Sequence, residues 1–271
     1  MTDNHRVLIT GINGFIGNAL AEAIRNECYD VWGIDIASNH DSQVIAVNLL
    51  DRDKVAEVYN KIPQCSILIH TAALAHGQRP LTGETVLTNN VRITDNILEV
   101  FGKRISHIIF LSSVAVYGLD GREYPVTTDD KKRPSSEYGL SKLECEEAIQ
   151  QSGIEDYYIL RPTPVFDDDH MDDIKKRVYF PGQNLIKLTI KPSPHHSLCH
   201  INTLIDKIFQ LAQQHSTSSR ITNVADPVPY SQNELVKKFT GIEIPIPRFI
   251  SVALINFIDL LPYNLGYSTR C

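Results

Sequence analysis

From Arg6 to about Arg161 the sequence alternates short β-branched runs with longer stretches whose apolar residues recur every three or four positions. Strands separated by helix-length segments cannot close as hairpins, so this alternation prescribes βα units, a parallel sheet and helices on its faces. The predicted strands are Arg6–Thr10, Asp30–Asp35, Gln43–Val47, Ser66–His70, His107–Ser112 and Asp156–Arg161, and the predicted helices are Phe15–Asn26, Arg52–Asn60, Thr85–Phe101 and Glu137–Gln151. The fold class is therefore α/β with a doubly wound parallel sheet. After Arg161 the pattern breaks: Pro162 and Pro164 end the last strand, an acidic stretch follows, and short Pro- and His-containing segments run on to Cys199. Residues 1–161 read as one domain and 162–271 as a smaller C-terminal lobe, either shortened or crossing back to the first domain.

Composition narrows the partners. The 271 residues carry 26 Lys and Arg against 32 Asp and Glu, a net charge of −6, which argues against nucleic acid. The five cysteines are odd in number and lack paired spacing, so they read as reduced thiols of a cytoplasmic protein with no metal site. No apolar run is long enough to span a membrane, and no secretory leader is visible. Pro245–Leu261 is apolar on more than one face and reads as a helix packed in the small lobe or at a subunit contact.

Directly after the first strand stands Gly11-Ile12-Asn13-Gly14-Phe15-Ile16-Gly17, opening the first helix. Glycines at this spacing allow a sharp turn, close approach of a pyrophosphate and a helix start whose N–H groups face the anion. Asp35 ends the second strand 24 positions after Gly11, placed to accept both hydroxyls of an adenosine ribose. No Arg or Lys lies between Asp35 and Asp51 to attract a 2′-phosphate, so the expected cofactor of this Rossmann-type domain is NAD.

Tyr138 and Lys142 stand at i and i+4, on one face of a predicted helix. A phenol acting as a base near neutrality needs its pKa lowered by about 4 kcal/mol, which a neighbouring ammonium and a positive nicotinamide supply. Ser112 and Ser113 place hydroxyls at the carboxyl end of the fifth strand, the edge where open α/β sheets bind ligands.

With these motifs in this order the chain resembles the extended short-chain dehydrogenase/reductases, in particular their nucleotide-sugar epimerase, dehydratase and 4-keto-reductase group, from about Val7 to about Ile205. The resemblance implies that Ser113, Tyr138 and Lys142 are catalytic. It implies cofactor contacts at Asn48-Leu49 near adenine, at His70, Ala72 and Ala73 beside the pyrophosphate, at Asn90 on the third helix and at Pro162 under the nicotinamide. Together with Gly11, Asn13, Gly14, Phe15, Ile16, Gly17 and Asp35, and with Tyr138 and Lys142, these make up the expected NAD site. His200-Ile201-Asn202 resembles the motif before the small lobe's next helix. The substrate candidates are Ser113, Lys176 and His196, the last standing where relatives carry an arginine for a diphosphate. The run Lys175–Arg177 reads equally as a phosphate contact or a solvated helix face.

The group's shared event is removal of a sugar hydroxyl proton as hydride leaves for the nicotinamide. Dehydratases follow the catalytic hydroxyl residue with Asp-Glu; here Val114-Ala115 follows Ser113, and neither can transfer a proton. The reading is an NAD-dependent epimerase acting through a transient 4-keto-sugar on a UDP-hexose or UDP-N-acetylhexosamine, with a nucleotide-sugar 4-keto-reductase as the alternative. A non-catalytic dinucleotide-binding protein is the second alternative. The resemblance also implies a homodimer paired through Thr85–Phe101 and Glu137–Gln151. Asp167 to Asp173 reads as a solvated acidic loop.

Overall fold

Arg6–Thr10 (β1) buries its last four residues, and its neighbours in the sheet are equally apolar. The computed structural model describes residues 6–74, 84–118, 125–180, 182–213 and 220–247. After β1 come α1 (Phe15–Asn26), β2 (Asp30–Asp35), β3 (Val44–Ala46), α2 (Arg52–Val58), β4 (Ile67–His70), α3 (Val86–Phe101), β5 (His107–Leu111), α4 (Glu137–Gln151), β6 (Asp156–Pro162), α5 (Ile201–Gln213) and β7 (Ile221–Val224). All seven strands are parallel, in the order β7-β6-β5-β4-β1-β2-β3. The order reverses between β1 and β4, which opens the crevice at their carboxyl ends. Every residue of β4 and β5 is buried, as a sheet covered on both faces requires.

Local chemistry fixes where the helices begin. Thr85 and Thr88 form a reciprocal capping box at α3, and Ser136 Oγ accepts from the Gly139 N–H at 3.1 Å to start α4. The predicted helix Arg52–Asn60 ends at Val58 and tightens into a 3₁₀ turn, Tyr59–Lys61. The expected strand Gln43–Val47 shrinks to Val44–Ala46, while β6 runs one residue further, to Pro162. The six-stranded sheet expected from sequence has a seventh member, β7, at its edge.

The chain divides into two units, 1–162 with 202–224 and 163–201 with 225–271. The helix that follows His200-Ile201-Asn202 therefore belongs to the first unit from Asn202 onward, not to the small lobe. In the second unit Val165–Phe166 pairs with Cys199–His200, His195–His196 with Tyr230–Ser231, and Ile186–Lys191 with Ile242–Pro247. Phe166, Ile174, Val178, Leu198, Leu235 and Val236 form its core. The helix expected at Pro245–Leu261 is corrected where it is described: Pro245–Pro247 lie in a strand, because Ile-Glu-Ile-Pro-Ile-Pro alternates with period two and prolines fit an exposed edge. The rest of that segment lies outside the described residues.

Candidate active site

The loop after β1 is shaped by what a side chain would meet. Gly11 has φ +72° and its missing Cβ would sit 2.8 Å from the Ala72 Cα; at Gly17 it would sit 2.1 Å from the Gly11 carbonyl oxygen. Backbone thus packs on backbone at the mouth of the crevice, and α1 starts at Gly14 with no side-chain cap. Phe15 and Ile16 occupy the first turn of α1. Asp35 lies at the end of β2, accepting from the Asn13 N–H at 2.9 Å and the Ile36 N–H at 2.7 Å. The Asn13 amide donates to the Ala37 carbonyl at 2.8 Å, tying the glycine loop to the β2 edge. Ile36, which the sequence reading passed over, is 58% exposed beside Asp35. Asn48 accepts from the Leu50 N–H at 3.0 Å, and the buried Leu49 offers its carbonyl to the Asn96 amide at 2.8 Å.

Across the switch point, Ala72 and Ala73 follow β4 and are half-buried. Asn90, 2% exposed on α3, clamps the end of that segment: its Oδ1 accepts from the Leu74 N–H at 2.7 Å, and its Nδ2 donates to the Leu74 carbonyl and to Ser141 Oγ. Ser141 Oγ donates in turn to the Tyr138 carbonyl at 2.8 Å. Asn90 therefore ties the segment after β4 to α4.

His70, expected beside the pyrophosphate, has a fully buried ring. Its ring is 0% exposed, held between Thr10 Oγ1 at 2.6 Å and Thr94 Oγ1 at 3.1 Å. Burial first, and then the Lys142 charge, push its pKa down to about 3, so the imidazole is neutral. The ring is a core bridge between β1 and α3.

Ser113 caps the 3₁₀ turn Val114–Tyr117 after β5, its Oγ accepting from the Ala115 N–H at 3.1 Å. Gly139 lets α4 lie against this turn: a Cβ there would come 2.5 Å from the Ala115 carbonyl oxygen. The close approach brings the helix of Tyr138 and Lys142 beside the turn of Ser113. Lys142 is 3% exposed, with Nζ donating to the Leu111 carbonyl at 2.7 Å and lying 5.7 Å from the Tyr138 ring centroid. Burial brings its pKa down to about 8, with Cys145 and Glu146 acting against the fall.

Behind the turn lies a buried cluster that the sequence reading missed. Arg161 (0% exposed) binds Glu146 (1%) through Nε at 2.8 Å and Nη2 at 2.6 Å, and Nη1 donates to the Tyr117 hydroxyl at 2.6 Å. An arginine directly after the apolar run Tyr157–Leu160, and a glutamate one turn beyond Lys142, were the available signals.

The second unit holds the remaining candidates. Lys176 is exposed and paired with Asp173 at 2.9 Å. His196 Nε2 meets Gln232 Oε1 at 2.9 Å, and burial holds its pKa below the usual imidazole value, so it is neutral at pH 7. The acidic stretch is locally tied rather than loose: Asp167 Oδ1 accepts from the Asp169 and His170 N–H groups at 2.9 and 2.7 Å. Asp172 and Asp173 start the helix Asp172–Val178, where acidic residues complement the dipole.

The model of the NAD dependent epimerase/dehydratase family matches residues 7–180. The chain belongs to this family. Within and around it, the UDP-glucose 4-epimerase of Vibrio cholerae is 24% identical over 86% of this chain and 74% of its own length. The N-acetyl-alpha-D-glucosaminyl-diphospho-ditrans,octacis-undecaprenol 4-epimerase of Escherichia coli O157:H7 is 23% identical over 90% of this chain and 76% of its own. Among solved structures, a short-chain dehydrogenase/reductase superfamily protein from Agrobacterium tumefaciens with bound NAD superposes with a TM-score of 0.74, at 20% identity, covering 90% of this chain and 86% of that one. The family's doubly wound fold is thus the fold found here. No helix of the described residues is long and apolar enough to cross a membrane.

Proposed function

We propose that this member of the family is an NAD-dependent nucleotide-sugar epimerase with Ser113, Tyr138 and Lys142 as its catalytic residues. The observation that carries the reading is the buried Lys142 ammonium, pinned to the Leu111 carbonyl beneath Tyr138 at the carboxyl edge of the sheet. The glycine cradle and Asp35 fit NAD: the loop leaves no room for side chains where a pyrophosphate would approach, and the carboxylate favours ribose hydroxyls over a 2′-phosphate. Gly11, Asn13, Gly14, Phe15, Ile16 and Gly17 would hold the pyrophosphate, Asp35 the ribose, Asn48, Leu49 and Ile36 the adenine end, and Ala72, Ala73 and Pro162 the walls of the crevice. When bound, NAD takes a hydride from the sugar carbon and returns it.

Tyr138, as phenolate, removes the proton of the sugar hydroxyl while the C–H bond at the same carbon gives up its hydride, leaving a ketone. Ser113 holds the hydroxyl and then the carbonyl oxygen by hydrogen bonding. After the keto-sugar turns over, hydride returns to its other face and Tyr138 gives the proton back to oxygen. Lys142 favours the phenolate and would help hold the nicotinamide ribose. Val114 and Ala115 offer no proton, so the cycle closes without elimination. Two relatives named as 4-epimerases support position 4, and Lys176 and His196 are the substrate-side candidates of the second unit. The reading includes a homodimer through α3 and α4 and a cytoplasmic location, the latter supported by free thiols at Cys28, Cys65, Cys145 and Cys199.

The test is to denature the purified protein, identify the nucleotide released, and assay UDP-glucose and UDP-N-acetylglucosamine for conversion to their C4 epimers. About one NAD per chain and conversion of either sugar are expected. Tyr138→Phe should lower turnover by about 10²-fold or more with NAD content unchanged. Conversion undiminished in that variant would overturn the assignment of the base.

A further inference from the structure

Glu146 lies one helical turn beyond Lys142 on α4, and the two side chains are 1% and 3% exposed. Its Oε1 accepts from the Ser112 hydroxyl at 2.5 Å and from Arg161 Nε at 2.8 Å; its Oε2 accepts from Arg161 Nη2 at 2.6 Å. Arg161 Nη1 donates to the Tyr117 hydroxyl, which donates to Asn223 Oδ1 at 2.8 Å on β7. Ser112 immediately precedes Ser113, and Tyr117 closes the turn that Ser113 caps. One buried ion pair thus grips the serine's turn at both ends and holds it to the helix of Tyr138 and Lys142.

We propose that Glu146 and Arg161 are positioning residues of the reaction: Glu146 supplies the countercharge that keeps Lys142 an ammonium, and with Arg161 and Tyr117 it fixes the Ser113 turn against α4. This rests on the roles given above to Ser113 and Lys142. The groups facing Lys142 are Tyr138, Cys145 and Glu146 from its own helix, His70 from β4, and the Leu111 carbonyl and Phe110 ring from β5, with Arg161 of β6 bound to the carboxylate. His70 is neutral, and burial raises the Cys145 thiol, so neither is charged near neutrality. Among these side chains Glu146 is the only carboxylate, and it opposes the desolvation that draws Lys142 down to about 8.

The test follows Lys142 by carbon NMR in protein carrying labelled lysine, its resonance assigned by loss in Lys142→Met. In Glu146→Gln the Lys142 midpoint should fall by about one unit, and the alkaline limb of kcat should fall with it. An unmoved midpoint would show that Glu146 is only structural. If Glu146→Gln does not fold because Arg161 is left unpaired, the double variant Glu146→Gln/Arg161→Met carries the same readout. Tyr117→Phe changes no charge; it should cut kcat about tenfold while leaving the Lys142 midpoint in place, and an unchanged kcat would overturn the positioning of Ser113. The NMR titration needs no turnover, so its failure is distinct from a failure to find epimerase activity.

Discussion

Burying Lys142 has a stability cost with a defined pH range. Its pKa falls from 10.5 to about 8, so between these values the unfolded chain holds a proton that the folded protein has released, and stability rises with pH across that window. Below pH 8 the cost is about 3 kcal/mol, from which the hydrogen bond to Leu111 subtracts. Lys142→Met should therefore abolish turnover yet raise stability at pH 7 by about 1–3 kcal/mol, with a smaller gain at pH 10; urea unfolding at both pH values measures this. His70 works in the acid range. With its pKa lowered from 6.5 to about 3, its contribution is intact above pH 6.5 and lost as pH falls toward 3. Between pH 7.5 and 5 that loss is about 2 kcal/mol, and a His70→Asn variant should lack this part of the pH dependence. The enclosure of the His70 ring was not legible from sequence, because position alone, at the end of β4, does not reveal that Thr10 and Thr94 flank it. Lys142 and Tyr138 were legible because their spacing is local to one helix.

At the scale of elements, the site depends on how closely α4 approaches the turn Val114–Tyr117. Gly139→Ala would place a methyl 2.5 Å from a backbone oxygen, with no flexible side chain to yield. The helix must move outward, and the expected cost is about 1–3 kcal/mol in stability and at least tenfold in kcat, with NAD affinity little changed; denaturant unfolding, turnover and cofactor titration check the three parts. The bounds of α1, α4, β1 and β2 were readable, because periodicity and flanking glycine or serine residues mark them. β7 was not: Ile-Thr-Asn-Val is short, half polar, and pairs with a strand some sixty residues earlier. The Glu146–Arg161 pair escaped for the same reason, since it joins a helix to a strand whose side-chain directions only the packed sheet defines. The short paired strands of the second unit carry little periodic signal, and tertiary pairing rather than propensity forms them.

For the whole molecule, the proposed pairing of α3 and α4 across a twofold axis predicts a sedimenting mass twice the 30.5 kDa of one chain. A mass of one chain at micromolar concentration would set the pairing aside. The two-unit division has a further effect on biosynthesis. β6 leaves the ribosome before the excursion 163–201, and its pairing strand β7 emerges only after it. Throughout that interval the nascent sheet displays an open edge of backbone donors and acceptors, the arrangement that recruits foreign strands. The Arg161 side chain waits as well, because Asn223, which steadies its partner Tyr117, arrives on the same late strand. Chains truncated between residues 201 and 220 should accordingly aggregate during synthesis, whereas those extended past 224 close their own edge.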